Sequence, residues 1–304
     1  RDTPMLGRTH GQSALPITFG FKVSIWIREI HRHLERMKDT HKRMGYGQLA
    51  GGVGSLSAFG KKGLKLQSIF FEKLGLRTPD IAWISVRDNQ AEFIQLLSMI
   101  SSTLDKIGHE VYTLQRHEIG EVSESFVKGT VGSITMPHKR NPIISEQMCG
   151  LARVVRANAI AAMENVSLWH ERDISHSSVE RVIGPDSTIL LHYMLRKMTG
   201  LVKKMIVYPK NMRKNMGVTG GLYYSQSVLL ALVLKGLSRE GAYELVQRNA
   251  MKAWEGKGAF ISLLKKDGEI KKYLSGKELD KVCNIKDQLK NIDKIFKRVF
   301  KNKK

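Results

Sequence analysis

The sequence contains little cysteine and no long apolar run, and these absences exclude several classes of protein. Its two cysteines, Cys149 and Cys283, cannot form a disulfide framework and are not spaced as a C-x-x-C pair. Reduced thiols of this kind are typical of a cytoplasmic protein. No apolar run approaches the roughly 20 residues that a membrane-spanning helix requires, and the opening RDTPMLGRTH does not resemble a secretory leader. We therefore predict a cytoplasmic protein with no membrane segment.

Acidic residues are scarce relative to basic ones: 28 Asp and Glu stand against 50 Lys and Arg, which gives a net charge of +22. Such a charge suits nucleic acid, an anionic substrate or a generally basic proteome. Part of it lies in residues 286–304, where apolar residues recur at helical spacing between lysines and predict an amphipathic terminal helix. Aromatic residues do not alternate with basic ones as in base-stacking surfaces, so nucleic acid is not the favoured partner.

Helical periodicity dominates the chain, and no segment alternates at period two for long enough to predict a sheet. The long segments predicted to be helices occupy residues 17–45, 88–120, 143–169 and 177–208. We expect a kink or break in the last of them, at Gly184–Pro185. The pattern predicts an all-α protein, with a long helical bundle over residues 1–218 and a smaller C-terminal helical domain over residues 219–304.

Three polar clusters between these helices carry the residue types that catalysis uses. They are GRTHGQ (7–12), GSITMPHKRNP (132–142) and WHERDISHSSVER (169–181). The two prolines of the second cluster block a helix, whereas Gly132 permits tight backbone geometry. One interpretation is a solvated basic loop. The other is a lid on which Ser133 is a nucleophile or base, while Lys139 and Asn141 bind a carboxylate.

The first and third clusters are ambiguous by themselves. His10 is suited to act as a general acid or base, although an isolated histidine is more often structural. Arg172 and Arg181, with three serines between them, are suited either to clamp a phosphate or carboxylate or to pair with acidic neighbours on a charged helix face. His170 and His176 lack the HExxH or Cys/His companions of a metal site, so no metal is predicted.

Taken together, the three clusters resemble the fumarase/aspartase superfamily of lyases. GSITMPHKRNP is similar to the signature loop of that superfamily, and GRTHGQ is similar to its threonine–histidine motif. LWHERDISHSSVER and residues 208–251 resemble the adenylosuccinate lyase family within it. The resemblance covers essentially the whole chain. It implies a long helical bundle of the fumarase/aspartase type, a homotetramer with active sites shared between subunits, and no cofactor.

The resemblance implies a β-elimination that releases fumarate from adenylosuccinate and from the related succinylated imidazole-carboxamide ribotide of purine synthesis. Ser133 would be the general base that removes a proton beside a carboxylate. Lys139 and Asn141 would bind the carboxylate on which negative charge then builds. His10 would be the general acid that protonates the leaving nitrogen. Glu146 matches the family's glutamate that pairs with such a histidine and keeps it basic.

The residues that would bind the nucleotide follow from the same resemblance. Thr9 would contact the substrate beside the catalytic histidine. Arg172, Ser177 and Arg181 match the positions that hold the nucleotide phosphate. A helix beginning near Ser177 would add its free N–H groups to that anion site.

Two departures from the family pattern leave alternatives open. The chain begins where the family's middle begins, without the front segment that carries a second active-site histidine. Trp83 stands where these lyases usually have a glutamine, four residues before Arg87, and a tryptophan there is more typical of the muconate cycloisomerase branch. The alternatives are a sister lyase or cycloisomerase with another carboxylated substrate, and an inactive fragment that acts as a structural or nucleic-acid-binding helical protein.

Overall fold

The periodic segments of the sequence form helices in the computed structural model, which describes residues 1–126, 133 and 135–301. The helices are α1 (Phe19–Met44), α2 (Gly63–Leu74), α3 (Asp88–Gln115), α4 (Ile143–Glu164), α5 (Ser175–Lys204), α6 (Pro209–Val218), α7 (Ser225–Leu234), α8 (Arg239–Trp254), α9 (Phe260–Lys266), α10 (Gly268–Lys271), α11 (Gly276–Val282), α12 (Ile285–Leu289) and α13 (Ile292–Lys301). The short strands are β1 (Pro4–Thr9), β2 (Gln12–Thr18), β3 (Val122–Ser123) and β4 (Ile206–Val207). The predicted all-α fold is confirmed.

The four long helices predicted from the sequence correspond to α1, α3, α4 and α5. Of the kink or break that we predicted at Gly184–Pro185, the break does not occur, because helix α5 is continuous from Ser175 to Lys204 although it contains Pro185. The kink stays a prediction. Pro185 is exposed, which lets water bond to the carbonyl that the proline ring leaves without a helical partner. The hydroxyl of Thr188 donates to the carbonyl oxygen of Gly184 at 3.0 Å and satisfies a neighbouring acceptor.

The chain forms two compact units. The first comprises Arg1–Ile27, Leu114–Val122 and Val207–Lys304, and the second comprises Arg28–Thr113 and Ser123–Ile206. The predicted division of the chain between residues 218 and 219 concerns domains rather than compact units, and it stays a prediction.

The first unit contains a β-hairpin that the sequence pattern did not predict. Strands β1 and β2 are antiparallel, with Pro4 opposite Thr18 and Thr9 opposite Gln12, and the register shifts between Leu6 and Arg8. We missed the hairpin because only Met5 and Leu6 of β1 are fully buried, so the strand shows no alternation of apolar and polar residues.

The rest of the first unit is a small helical assembly. Its buried core includes Val228, Leu232, Ala242, Val246, Phe260, Leu264, Ile270 and Leu279. Ser238 caps α8 by accepting a hydrogen bond from the N–H of Gly241 at 3.1 Å. In the described part of the chain, no helix is by itself both long and apolar enough to cross a membrane. One pair, Pro209–Val218 with Leu222–Leu234, is long and apolar enough when taken together and is bent by 75°.

The second unit is built from long helices, among which α4 packs against α5. Its core contains mainly aliphatic side chains, including Ile94, Leu97, Leu104, Ile107, Met148, Ala152, Val155, Leu191, Met194 and Met198. The unit also contains a series of polar contacts whose two middle members, His33 and Thr103, are buried. Arg36 donates to His33 Nδ1 (3.3 Å), His33 Nε2 lies 2.7 Å from Thr103 Oγ1, and the Thr103 hydroxyl donates to Glu29 at 2.7 Å. Because Arg36 donates to Nδ1 and the Thr103 hydroxyl donates to Glu29, these contacts fit a neutral imidazole whose proton is on Nε2 and is donated to Thr103.

The surroundings of His33 predict a specific loss of stability at acidic pH. Burial lowers the pKa of His33 below its ordinary value of 6.5, and nearby Arg36 lowers it further. As the pH falls through about 6.5, the unfolded chain therefore binds a proton before the folded one does, and the free energy of unfolding decreases. We expect His33→Gln to flatten this slope in urea unfolding between pH 7.5 and 5.5. His41→Gln, an exposed histidine on the same helix, should retain the slope of the parent; equal slopes in all three proteins would contradict the assignment.

Candidate active site

The threonine–histidine motif lies at the tip of the β1–β2 hairpin. Thr9 and Gln12 are the last paired residues, so His10 and Gly11 form a two-residue turn, and both have positive φ angles of 52° and 74°. Two positive φ angles are what a type I′ hairpin turn requires. A histidine in that conformation is uncommon, and such strained positions cluster at functional sites. Thr9 and His10 are both exposed, so the turn presents the imidazole to solvent.

The signature loop presents its serine and lysine before α4. Gly132, with which the predicted loop begins, lies outside the described residues. Ser133 is half-buried, and its Oγ accepts a hydrogen bond from the backbone N–H of Met136 at 3.1 Å. The N–H of Lys139 donates to the carbonyl of Met136 at 2.9 Å, which closes a turn, while the Lys139 side chain is exposed and Asn141 is half-buried. The predicted site residues of this loop therefore lie at or near the surface.

The segment that follows β3 is joined to the start of α4 by a carboxylate that sequence reasoning missed. Glu124, only 5% exposed, accepts hydrogen bonds from the N–H groups of Ile144 (3.2 Å) and Ser145 (2.7 Å) and from the Ser145 hydroxyl (2.7 Å). A carboxylate there satisfies free N–H groups and complements the helix dipole. No usable signal for it exists in the sequence, because Glu124 lies 19 positions before the helix start at Ile143, too far for capping rules to apply. Glu146, in the first turn of α4, is exposed.

The Glu124 contacts predict that this side chain stabilises the start of α4. Glu124→Gln removes the charge and one of the two acceptor oxygens, and we expect the free energy of unfolding to fall by about 1–3 kcal/mol in urea denaturation. Glu164→Gln makes the same chemical change at the exposed last residue of α4 and should alter the unfolding free energy by less than about 0.5 kcal/mol. Equal effects of the two substitutions would show that Glu124 does not cap the helix.

The third cluster surrounds the start of α5, at Ser175. Arg172 and Arg181 are exposed and Ser177 is half-buried. The alternative in which these arginines pair with their acidic neighbours is not what the structure has: Glu180 pairs with Arg87 at 2.8 Å instead. Among the residues that the structure describes, neither Arg172 nor Arg181 has an ion-pair partner. Two arginines without carboxylate partners beside a helix N-terminus are suited to bind an anion.

The turn that carries Arg172 is ordered by Asp173. The Asp173 carboxylate accepts hydrogen bonds from the hydroxyl (2.6 Å) and N–H (2.8 Å) of Ser175 and from the N–H of Trp169 (2.6 Å). These donors, first among them the Ser175 hydroxyl, lower the pKa of Asp173 below its ordinary value. The carboxylate therefore acts as a local structural group.

Arg87 and Trp83 have internal partners in the second unit. Arg87 is mostly buried and contacts both Glu180 and the Nε2 atom of His176, itself 6% exposed. His176 thus belongs to a buried polar group. The indole N–H of Trp83 donates to the carbonyl of Gly47 at 3.0 Å, so Trp83 holds the start of the glycine-rich residues 47–60 (GQLAGGVGSLSAFG).

One group of residues has the chemistry of metal ligands and was not identified from the sequence. Ligand atoms of Asp105, His109 and Cys149 lie within 4.8 Å of one another. However, Arg156 pairs with the Asp105 carboxylate at 2.9 Å, and burial raises the pKa of the Cys149 thiol to about 12. A cation would have to compete with the guanidinium and deprotonate that thiol. The local electrostatics therefore oppose a divalent ion.

Comparison with known proteins gives concordant results for both ends of the chain. A family model described as lyase matches residues 1–157, and one described as adenylosuccinate lyase C-terminus matches residues 221–299. The chain is 46% identical to an adenylosuccinate lyase of Synechocystis sp. and 47% identical to one of Aquifex aeolicus. These alignments cover 98% and 99% of this chain, and 69% and 68% of the relatives, respectively.

Solved structures place the fold in the same group of enzymes. A fumarate lyase from Mesorhizobium sp. BNC1 superimposes with a TM-score of 0.89 at 28% identity, over 99% of this chain and 68% of that one. A 3-carboxy-cis,cis-muconate lactonizing enzyme from Pseudomonas putida gives 0.88 at 29%, over 98% and 66%. The helical fold and the signature loop thus define a lyase of the fumarase/aspartase type. Within that class, the chain belongs to the adenylosuccinate lyase family.

Proposed function

We propose that this protein catalyses the β-elimination of fumarate from adenylosuccinate, giving AMP, and from the succinylated aminoimidazole-carboxamide ribotide. The observation that carries the proposal is the 44–47% identity to adenylosuccinate lyases over nearly the whole chain. Likeness to the muconate enzyme is weaker, at 29% identity, and concerns the fold. Both substrates carry two carboxylates and a phosphate, which suits a protein with a net charge of +22.

The signature loop is proposed to abstract the proton. Ser133 would act as the general base, and a serine needs stabilisation of its alkoxide to do so. The N–H of Met136, 3.1 Å from Ser133 Oγ, supports this role because it already donates to that oxygen. Lys139 and Asn141 would bind the succinyl carboxylate as negative charge builds on it. Because that charge is largest in the transition state, their contacts would lower the barrier rather than only bind substrate.

The hairpin tip is proposed to supply the proton that the leaving nitrogen needs. His10 would be the general acid, and Thr9 beside it would contact the substrate. Glu146 would pair with His10 and hold its imidazole in orientation. The exposed, strained turn supports the role of His10, because it leaves the imidazole accessible to a substrate.

The start of α5 is proposed to hold the phosphate of the nucleotide. Arg172, Ser177 and Arg181 would supply two guanidinium groups and a hydroxyl. The exposure of both arginines and the nearby helix N-terminus at Ser175 support this role.

The working enzyme is proposed to be a cytoplasmic homotetramer in which several subunits contribute to each active site. It would use no cofactor or metal, because serine, histidine and lysine side chains can carry the proton transfers and the charge stabilisation. Nucleic acid and membranes would not be its partners. Analytical ultracentrifugation of the purified protein should give four times the mass of one chain.

The substrate assignment is tested with three compounds and the complete purified protein. Fumarate should be released from adenylosuccinate and from the succinylated imidazole-carboxamide ribotide, while 3-carboxy-cis,cis-muconate should remain unchanged. Conversion of the muconate without release of fumarate from the two nucleotides would overturn the assignment and turn attention to Trp83.

A further inference from the structure

A buried ion pair lies directly beneath the hairpin tip. Glu121 is fully buried, and both of its carboxylate oxygens accept from the Arg8 guanidinium: Nη1 donates to Oε2 at 2.9 Å and Nη2 donates to Oε1 at 2.8 Å. Asn215 adds a third hydrogen bond, from Nδ2 to Glu121 Oε1 at 2.9 Å. A two-pronged contact of this kind fixes the orientation of both groups as well as their separation.

The backbone of Glu121 is fixed by hydrogen bonds as well. Its N–H donates to the carbonyl of Leu114 at 2.9 Å, and its carbonyl accepts from the N–H of Tyr208 at 3.0 Å. Helix α6 clamps the same segment through two asparagines one turn apart. Asn211 donates to the carbonyl of Gly120 at 2.6 Å, and Asn215 donates to that of Ile119 at 2.8 Å. Glu121 is therefore a fixed point to which the hairpin is attached.

Arg8 connects the fixed Glu121 side chain to the tip of the hairpin. It is the penultimate residue of β1, two positions before His10, and it pairs with Ser13 across the hairpin. Strand β1 packs against α6 and strand β2 against α12, but the turn beyond Thr9 is exposed and strained, and the register shifts between Leu6 and Arg8. Without a rigid anchor at Arg8, the exposed turn would sample several positions.

We propose that Glu121 is a positioning residue, which acts through Arg8 to hold the His10 turn where the leaving group must be protonated. The proposal rests on the proposed function, because it assigns a partner to the general acid of that reaction. A displacement of about 1 Å in a catalytic group can cost about 10²-fold in rate. Loss of the anchor should therefore lower kcat more than it raises KM.

The test is Glu121→Gln in the complete protein, measured as fumarate release. We expect kcat to fall about tenfold, with KM changed less than about threefold. Asp267→Asn is the matched control, because Asp267 also accepts from an arginine and an asparagine, Arg248 and Asn249, both at 2.7 Å. The control should lose stability but keep kcat within about twofold. If Glu121→Gln fails to fold, Arg8→Lys keeps the charge while losing the two-pronged contact, and it should show the same loss of kcat.

A double-substitution cycle separates positioning from general destabilisation. If Glu121 acts through His10, then Glu121→Gln should cause no further loss of kcat in a His10→Asn background. A full tenfold loss in that background, or a kcat within twofold of the parent in the single variant, would overturn the proposal.

Hydrogen exchange keeps the proposal testable if the reaction assignment fails. A folded protein that releases no fumarate would disprove the proposed function, yet the anchor can still be measured. Backbone amides of residues 8–13 should exchange at least about tenfold faster in Glu121→Gln than in the parent, and no faster in Asp267→Asn. Unchanged exchange in the Glu121 variant would exclude the anchor, whatever the reaction is.

Discussion

Ser133→Ala is expected to lower kcat for fumarate release by about 10³-fold while the protein keeps its fold and its substrate affinity. General-base catalysis contributes about 10²–10⁴-fold, and alanine removes the oxygen to which the Met136 N–H donates at 3.1 Å. The side chain is half-buried on a loop, so its removal leaves no core cavity and should change the unfolding free energy little. Steady-state kinetics with adenylosuccinate measure the effect, and circular dichroism checks the fold.

Thr135→Ala provides the matched control for the serine. It removes a hydroxyl from an exposed residue of the same loop, to which no role in the reaction is assigned, and kcat should stay within a few-fold of the parent. A Ser133→Ala protein that retained more than a tenth of the parent kcat would contradict the assignment of Ser133 as the base. The proton would then have to be removed by another group.

His10→Asn is expected to lower kcat by about 10²-fold or more. The substitution removes the imidazole that we propose as the acid for the leaving nitrogen. Asparagine is chosen because it tolerates the left-handed backbone conformation, and the φ angle at His10 is 52°. The hairpin should therefore form normally, so the loss of rate would report on the missing imidazole rather than on a collapsed turn.

His170 supplies an unusually close control for this change. It is also an exposed histidine with a φ angle of 52°, and no role in the reaction is assigned to it. His170→Asn should keep kcat within about threefold of the parent. Equal losses from the two substitutions would indicate that replacing a histidine at a strained turn, rather than removing the acid, lowers the rate.

Much of the fold could be predicted because helical periodicity is a local property. Apolar residues at helical spacing in the four long segments identified α1, α3, α4 and α5. Local rules failed where packing or exposure decided the outcome. The hairpin was missed because β1 shows no alternation and also because a histidine and a glycine form its turn in place of the usual Asn-Gly. Pro185 is accommodated because it lies on the exposed face of α5.

The candidate site likewise contains residues that a local sequence pattern identifies and residues that it does not. Ser133, Lys139 and Asn141 lie within nine residues of each other, so their pattern could be found from the sequence. Glu121 and Glu124 could not be identified, because their partners are distant in the chain: Arg8 lies 113 residues from Glu121, and Ser145 lies 21 residues from Glu124. No local pattern encodes which arginine or helix end a carboxylate will meet after folding.

The most direct test of the whole account is a crystal structure of the complete Ser133→Ala protein with adenylosuccinate bound. The account predicts that one succinyl carboxylate contacts Lys139 and Asn141. It also predicts that the His10 imidazole lies about 2.6–3.2 Å from the leaving nitrogen. The phosphate should lie against the cluster formed by Arg172, Ser177 and Arg181. A bound nucleotide that contacts neither the signature loop nor the hairpin tip would contradict the account, even if the protein were a lyase.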